Sequence, residues 1–173
     1  MTNRISLIGL GNILLRDEGV GVHLIEALKR KIDFPENILL LDGGTMGLDL
    51  LPYMEGVEKI LFIDALDLQK ESGAIAILED NDIPSFIMPK LSFHQVGLAD
   101  LLFASKFKGV LPPKVTLLGI QPEKIEAGLT LSETLHCHLE DFLNIILEKL
   151  REWGVDFKEK GEWEKENVLG DSI

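Results

Sequence analysis

The run Ile5-Ser6-Leu7-Ile8-Gly9-Leu10-Gly11-Asn12 limits what this chain can fold into more than any other segment. A short apolar stretch that stops at a glycine turn reads as a buried strand. Immediately afterwards the apolar period changes. From Glu18 to Lys31 the pattern is helical, with Gly21, Leu24, Ile25, Leu28 and Ile32 recurring at three and four to form one apolar stripe. A strand that feeds a helix through a tight turn is the opening unit of an α/β domain.

The alternation continues along the chain. Ile38 to Leu41 reads as a second strand, stopped by Asp42-Gly43-Gly44-Thr45, and Leu48 to Met54 as a short helix. Lys59 to Ile63 is a third strand ending at Asp64, and Ala74 to Leu78 a fourth. Pro84 and Pro89 bracket Ile83 to Met88, which reads as an edge strand. Val96 to Phe107 is helical, Val115 to Ile120 is the last strand, and Leu131 to Trp153 is one long helix. The expected fold is therefore α/β: one domain over residues 1–153, in three layers, with a mainly parallel sheet covered by helices on both faces. Residues 154–173 are charged and aperiodic and read as a flexible C-terminal extension; the alternative is that Trp163 and Val168-Leu169 dock on the domain.

Composition narrows the function. Across 173 residues, 46% are apolar, enough for a sizeable core, and the formal net charge is -12. That charge argues against nucleic acid or an anionic membrane as partner, because both require a basic footprint. Cys137 is the only cysteine, so no internal disulfide forms and a reducing compartment fits. The start, MTNRISLIGLGN, does not resemble a signal peptide, and no apolar run approaches the ~20 residues of a membrane span. A soluble, cytoplasmic protein is expected.

The glycine turn superficially resembles a nucleotide site. The third glycine of a dinucleotide fingerprint is replaced by Leu14, and no Lys-Ser/Thr pair completes a Walker loop. Asp17 and Glu18 would also repel a pyrophosphate. The glycines instead let the chain leave the strand sharply and approach other backbone closely. Asp17 is accounted for as a cap of the helix that follows. Glu18 is not needed for capping. A carboxylate at a helix N-terminus stays ionised, as a metal ligand or general base must.

Ligands of open parallel sheets bind beyond the carboxyl ends of the strands. The polar residues expected on that crest are Glu18, Asp42, Asp64 and His94. Each has an ordinary alternative. Asp64 could open a turn, Asp67 is a rival that fits a cap, Asp42 could brace the Gly43-Gly44 turn, and His94 between Phe93 and Val96 could be structural. Glu18, Asp64 and His94 together make an O,O,N donor set acceptable to nickel or zinc, with coordination positions left open. The other histidines compete poorly. His23 falls on the flank opposite the Leu24-Ile25 stripe, where solvent is expected. His136, Cys137 and His138 would point about 100° apart on a helix and cannot close around one ion.

GLGNILLRDEGVGVHLIEAL, DGGTMGLDLL, FIDALD, SFHQVGLADLL and GIQPEKIEAGLTLS, in this order and at these distances, resemble the nickel-iron hydrogenase maturation endopeptidases. The likeness covers residues 4 to 150 or so and leaves the end of the chain outside. It implies a single α/β domain with a twisted, mainly parallel sheet. The implied activity is removal of a C-terminal extension from the hydrogenase large-subunit precursor after nickel insertion. The family's metal-contacting positions fall on Glu18, Asp64 and His94, which would also be the catalytic set. Asp42, Gly43, Gly44 and Thr45 match a segment assigned here to substrate handling. Nickel would arrive with the substrate, with zinc or cadmium able to substitute in vitro. Water activation, aspartic-type or metal-assisted, would fall to Asp64 or Asp42. A monomer is expected. The rival readings are a non-catalytic nickel- or precursor-binding chaperone on the same fold, a nucleotide-binding module and a general aminopeptidase.

Overall fold

The computed structural model describes residues 3–87 and 93–161, with side chains of the helix that opens at Phe93 described from Gly97 onward. The central sheet has five strands: β1 (Ile5–Leu10), β3 (Ile38–Gly44), β4 (Lys59–Ala65), β5 (Ile75–Glu79) and β6 (Lys114–Ile120), ordered β3-β1-β4-β6-β5. The pairs β1–β3, β1–β4 and β4–β6 are parallel, and β5 runs antiparallel to β6. No helix lies between β4 and β5. A connection that short cannot carry a parallel crossover, so β5 returns antiparallel on the edge.

Alternate residues of the central strands serve opposite layers. Ile5, Leu7, Leu61, Ile63, Leu118 and Ile120 meet α1 (Val20–Lys31) and α5 (Leu139–Glu152). Ile8, Ile60, Phe62 and Leu117 meet the other layer, built from a 3-10 helix (Gly47–Tyr53), α2 (Asp82–Ile87) and α3 (Phe93–Lys108). Two cores, one on each face, are why these strands read as unbroken apolar runs. The three-layer α/β expectation holds.

Four local expectations are corrected. Asp82–Ile87 form a helix, not an edge strand, and Met88 and Pro89 lie outside the described residues. Pro84 lies in its first turn, where a missing N–H costs little, and Ile83 and Ile87 share its buried side. The expected single helix from Leu131 to Trp153 breaks at His138, which ends α4 (Glu133–Cys137) and begins α5. There the His138 Nδ1 lies 2.8 Å from the Thr134 carbonyl, and Ser132 caps α4 by accepting from the Leu135 N–H. The second long strand does not stop at Leu41. It runs through Asp42 to Gly44, with a register slip opposite Leu10. His23 is half-buried rather than solvated, its Nε2 enclosed with no hydrogen-bond partner among the described residues. Burial, then the Arg30 charge, lowers its pKa.

After Trp153 the chain turns back onto the domain. β7 (Lys158–Glu159) pairs antiparallel with β2 (Ile32–Asp33), Lys160 meets Asp33 at 3.0 Å, and the Phe157 and Phe34 rings are 5.8 Å apart. Trp163, Val168 and Leu169 lie outside the described residues. Among the described residues, no helix is long and apolar enough to cross a membrane.

Thr116 on β6 is fully buried, and its hydroxyl has no hydrogen-bond partner among the described residues. Burying an unpaired hydroxyl is unfavourable, so Thr116→Val should raise unfolding stability by about 1 kcal/mol in urea denaturation. A loss of stability would mean that the hydroxyl is satisfied.

Candidate active site

The site begins with glycine geometry. At Gly21 a Cβ would stand 2.1 Å from the Ile63 carbonyl oxygen and 2.6 Å from that of Leu10. The first turn of α1 therefore rests directly on the backbone of β1 and β4. Gly11 has φ +113°, and a Cβ there would overlap the Glu18 carbonyl oxygen at 1.7 Å. The turn after β1 and the 3-10 turn Arg16–Gly19 are thus laid backbone against backbone, beside the end of β4. Leu14 at the would-be third glycine does no harm, because Gly21 makes the close helix–sheet contact instead.

The 3-10 turn buries both acids. The expectation that Asp17 caps the helix that follows is corrected: Gly19 holds the N-cap position of α1, with no side-chain cap bond. Its carboxylate accepts from the backbone N–H groups of Glu123 (2.9 Å), Lys124 (2.8 Å) and Ser132 (2.6 Å), more than a hundred residues away. Arg16, with φ +52°, adds bonds from its side chain to Glu126 (2.9 Å) and the Thr130 carbonyl (3.2 Å). Asp17 is therefore the pin that fastens the 121–132 loop to the glycine turn. Asp17→Ala would leave three backbone N–H donors without their acceptor, that of buried Ser132 among them, and should cost about 2 kcal/mol of unfolding stability, read by chemical denaturation; a cost near zero would refute the pinning role.

Asp64 ends the apolar run of β4 and is buried, as is Glu18. Burial pushes the Asp64 carboxyl up to about 8, its bond from the Ala65 N–H pulls the other way, and the nearby Glu18 charge raises it again. The structure thus brings these two acids together. Asp64 forms part of the wall of a pocket of about 190 Å³, lined also by Leu10 and Gly11 of the glycine turn and by Gly44, Thr45, Leu50 and Leu98. That volume holds a few waters or one side chain and is well below what a nucleotide needs.

The remaining sequence candidates divide. Gly44 and Thr45 line the pocket, Gly43 is buried behind it against Ile8, and Asp42 is exposed and outside the wall. Asp67 accepts from the Gln69 N–H at 2.9 Å and serves a turn. Position 94 is in the first turn of α3, one and two turns ahead of Leu98 and Leu101, which line the pocket. The His94 side chain lies outside the described residues. Among the described residues, no three His, Cys, Asp or Glu side chains form a metal-holding group. His138 stacks on Phe142 with ring centroids 6.1 Å apart, and Cys137 is exposed and free. Sequence reasoning missed the apolar wall, although Leu98 and Leu101 at four and seven residues from His94 already marked one helix face.

The Asp64 carboxyl has a testable consequence. Native Asp64 holds its proton more tightly than the unfolded group, at about 8 against 3.8. The stabilisation this group contributes is complete below 3.8 and is lost as pH rises to about 8. The stability difference between wild type and Asp64→Asn should therefore fall with pH across that window, by up to ~1.4 kcal/mol per pH unit, and level off above it. Urea unfolding in metal-free buffer reads this, and a pH-independent difference would refute it.

Comparison with known proteins agrees with this architecture. Residues 22–149 match the family model described as HycI, hydrogenase maturation protease. The chain is 41% identical to the hydrogenase 2 maturation protease of Escherichia coli over 88% of its length and 94% of that protein. It is 37% identical to the hydrogenase expression/formation protein HoxM of Azotobacter vinelandii, over 87% of this chain and 74% of that one. Among solved structures, the hydrogenase maturating endopeptidase HybD of E. coli superposes with a TM-score of 0.86 at 39% identity, covering 91% of this chain and 98% of that one. The [NiFe] hydrogenase maturation protease HybD of Thermococcus kodakarensis does so with a TM-score of 0.68 at 26% identity, covering 85% and 98%. With the family model spanning most of the domain and a relative at this identity along nearly its full length, the chain belongs to the hydrogenase maturation protease family.

Proposed function

We propose that this protein removes the C-terminal extension from the precursor of a nickel-iron hydrogenase large subunit, as a monomer in the cytoplasm, once nickel is in place. The observation that carries this reading is the pair of buried acids at the sheet crest. Asp64 and Glu18 share a water-poor site, and Asp64 answers by holding a proton. A cation brought by the precursor would relieve the same repulsion, displacing that proton. Glu18 and Asp64, with His94 from the first turn of α3, supply the oxygen and nitrogen donors nickel accepts. Zinc or cadmium would serve the same donors in vitro.

Peptide hydrolysis also needs a water deprotonated and a carbonyl polarised. Once the cation has displaced its proton, Asp64 is better placed than Asp42 to accept one from water, because it faces the pocket while Asp42 stands outside it. Gly44 and Thr45 line the same pocket, where a peptide backbone would lie close to the protein. The substrate-borne metal would polarise the carbonyl and free the Asp64 carboxylate to act as the base.

The test mixes purified protein with precursor that carries or lacks nickel and follows the precursor by mass spectrometry. The nickel-loaded precursor should be shortened and the nickel-free one left intact. Equal cutting would defeat the nickel checkpoint, and binding without any mass loss would favour a chaperone. Glu18→Gln, Asp64→Asn and His94→Ala should each slow processing by at least ~100-fold with an unchanged circular dichroism spectrum. Full activity in all three would remove the proposed site.

A further inference from the structure

Four large aliphatic side chains stand in solvent beside the glycine turn: Ile13, Leu14, Ile125 and Leu129, exposed by 42, 59, 59 and 65%. Singly exposed apolar residues are ordinary on a protein surface. These four are not scattered. They belong to two loops that are stitched together directly: the Gly128 N–H donates to the Leu14 carbonyl at 2.9 Å, and the Arg16 N–H donates to the Gly128 carbonyl at 3.0 Å. Ile125 lies between Lys124, bonded to the Asp17 carboxylate, and Glu126, bonded to Arg16. Ile13 is seated on the same 3-10 turn as Glu18, since a Cβ on Gly19 would come within 2.7 Å of the Ile13 Cα.

The ledge is therefore rigid before anything binds, so little conformational freedom is lost when it is covered. Hydrolysis itself has no use for exposed aliphatic side chains. A polypeptide substrate seated at Asp64, however, has this rim beside it, because Gly11, which lines the pocket, is separated from Ile13 by a single residue. Arg16 beside the ledge is already paired with Glu126, and Lys124 adjoins Ile125, so the aliphatic surface is edged by charge.

We propose that Ile13, Leu14, Ile125 and Leu129 form the specificity ledge of the enzyme, and that its occupant is an aliphatic segment of the precursor adjoining the scissile bond. This rests on the endopeptidase reading above and adds what that reading leaves open: the chemistry by which the substrate chain is selected.

The experiment compares the full-length protein with two ledge variants, Leu14→Ser/Leu129→Ser and Ile13→Ser/Ile125→Ser, and with Phe103→Ser/Phe107→Ser. Phe103 and Phe107 are aromatics on α3, more exposed than the ledge residues and outside the pocket wall, and serve as the control. Each ledge variant should raise KM for nickel-loaded precursor, and weaken precursor binding measured by interferometry, by about tenfold or more, with kcat within a factor of about two and melting temperature unchanged. The control should match wild type. Wild-type KM and binding in the ledge variants would overturn the proposal, as would an equal loss in the control. A wild-type dimer in light scattering that the ledge variants abolish would overturn it in favour of a second copy as occupant. If wild type binds the precursor through the ledge yet never shortens it, the endopeptidase reading fails and the ledge stands. If wild type cuts and the ledge variants cut equally well, only the ledge fails.

Discussion

Helix α1 touches the sheet backbone to backbone, and that contact sets the position of everything at the crest. Gly21 faces the carbonyl oxygens of Ile63 and Leu10, with no room for even a methyl group. Glycine here is a matter of distance, because α1 would have to lift off β1 and β4 to admit a side chain. Glu18 is three residues ahead of Gly21, and Asp64 follows Ile63 directly. The same contact that seats the helix therefore sets the spacing of the two acids. A longer gap would let water between them and return Asp64 to an ordinary carboxyl.

The neighbouring acids Asp17 and Glu18 have diverging duties. Asp17 is satisfied by three backbone donors from a loop more than a hundred residues away and has no part in the pocket. Glu18 faces the electrostatic problem of Asp64. Close carboxylates in a poorly solvated site repel far more strongly than in water. Such an arrangement is useful where a cation or a proton is exchanged, and its cost must be met by the surrounding fold. The Asp17 pin, the Arg16–Glu126 pair and the two Gly128 bonds meet it, by holding the turn that carries both acids.

Much of the fold was legible from periodicity alone. β1, β4 and β6 are apolar runs because each serves two cores, and α1 and α5 show single stripes because each serves one. Legibility failed where local pattern and tertiary packing disagree. The segment around Pro84 resembled an edge strand, yet Ile83 and Ile87 at helical spacing had a core to bury in. The break at His138 left no mark in the apolar stripe, because Leu135 and Leu139 on either side of it are buried in the same core. His23 was expected in solvent because a helical wheel shows only one helix and not what packs across it.

The sequence by itself determined the α/β alternation, the glycine turn, the places of Glu18 after that turn and Asp64 at a strand end, and the segments that relate this chain to the hydrogenase maturation proteases. These are local properties, written in residue type and spacing. Only the tertiary structure decided that Asp17 pins a distant loop, that Asp42 stands outside the pocket while Gly44 and Thr45 line it, and that four aliphatic residues from two loops share one rim. Those facts depend on which backbone donors and carbonyls meet across long stretches of chain, and no local pattern encodes a partner more than a hundred residues away.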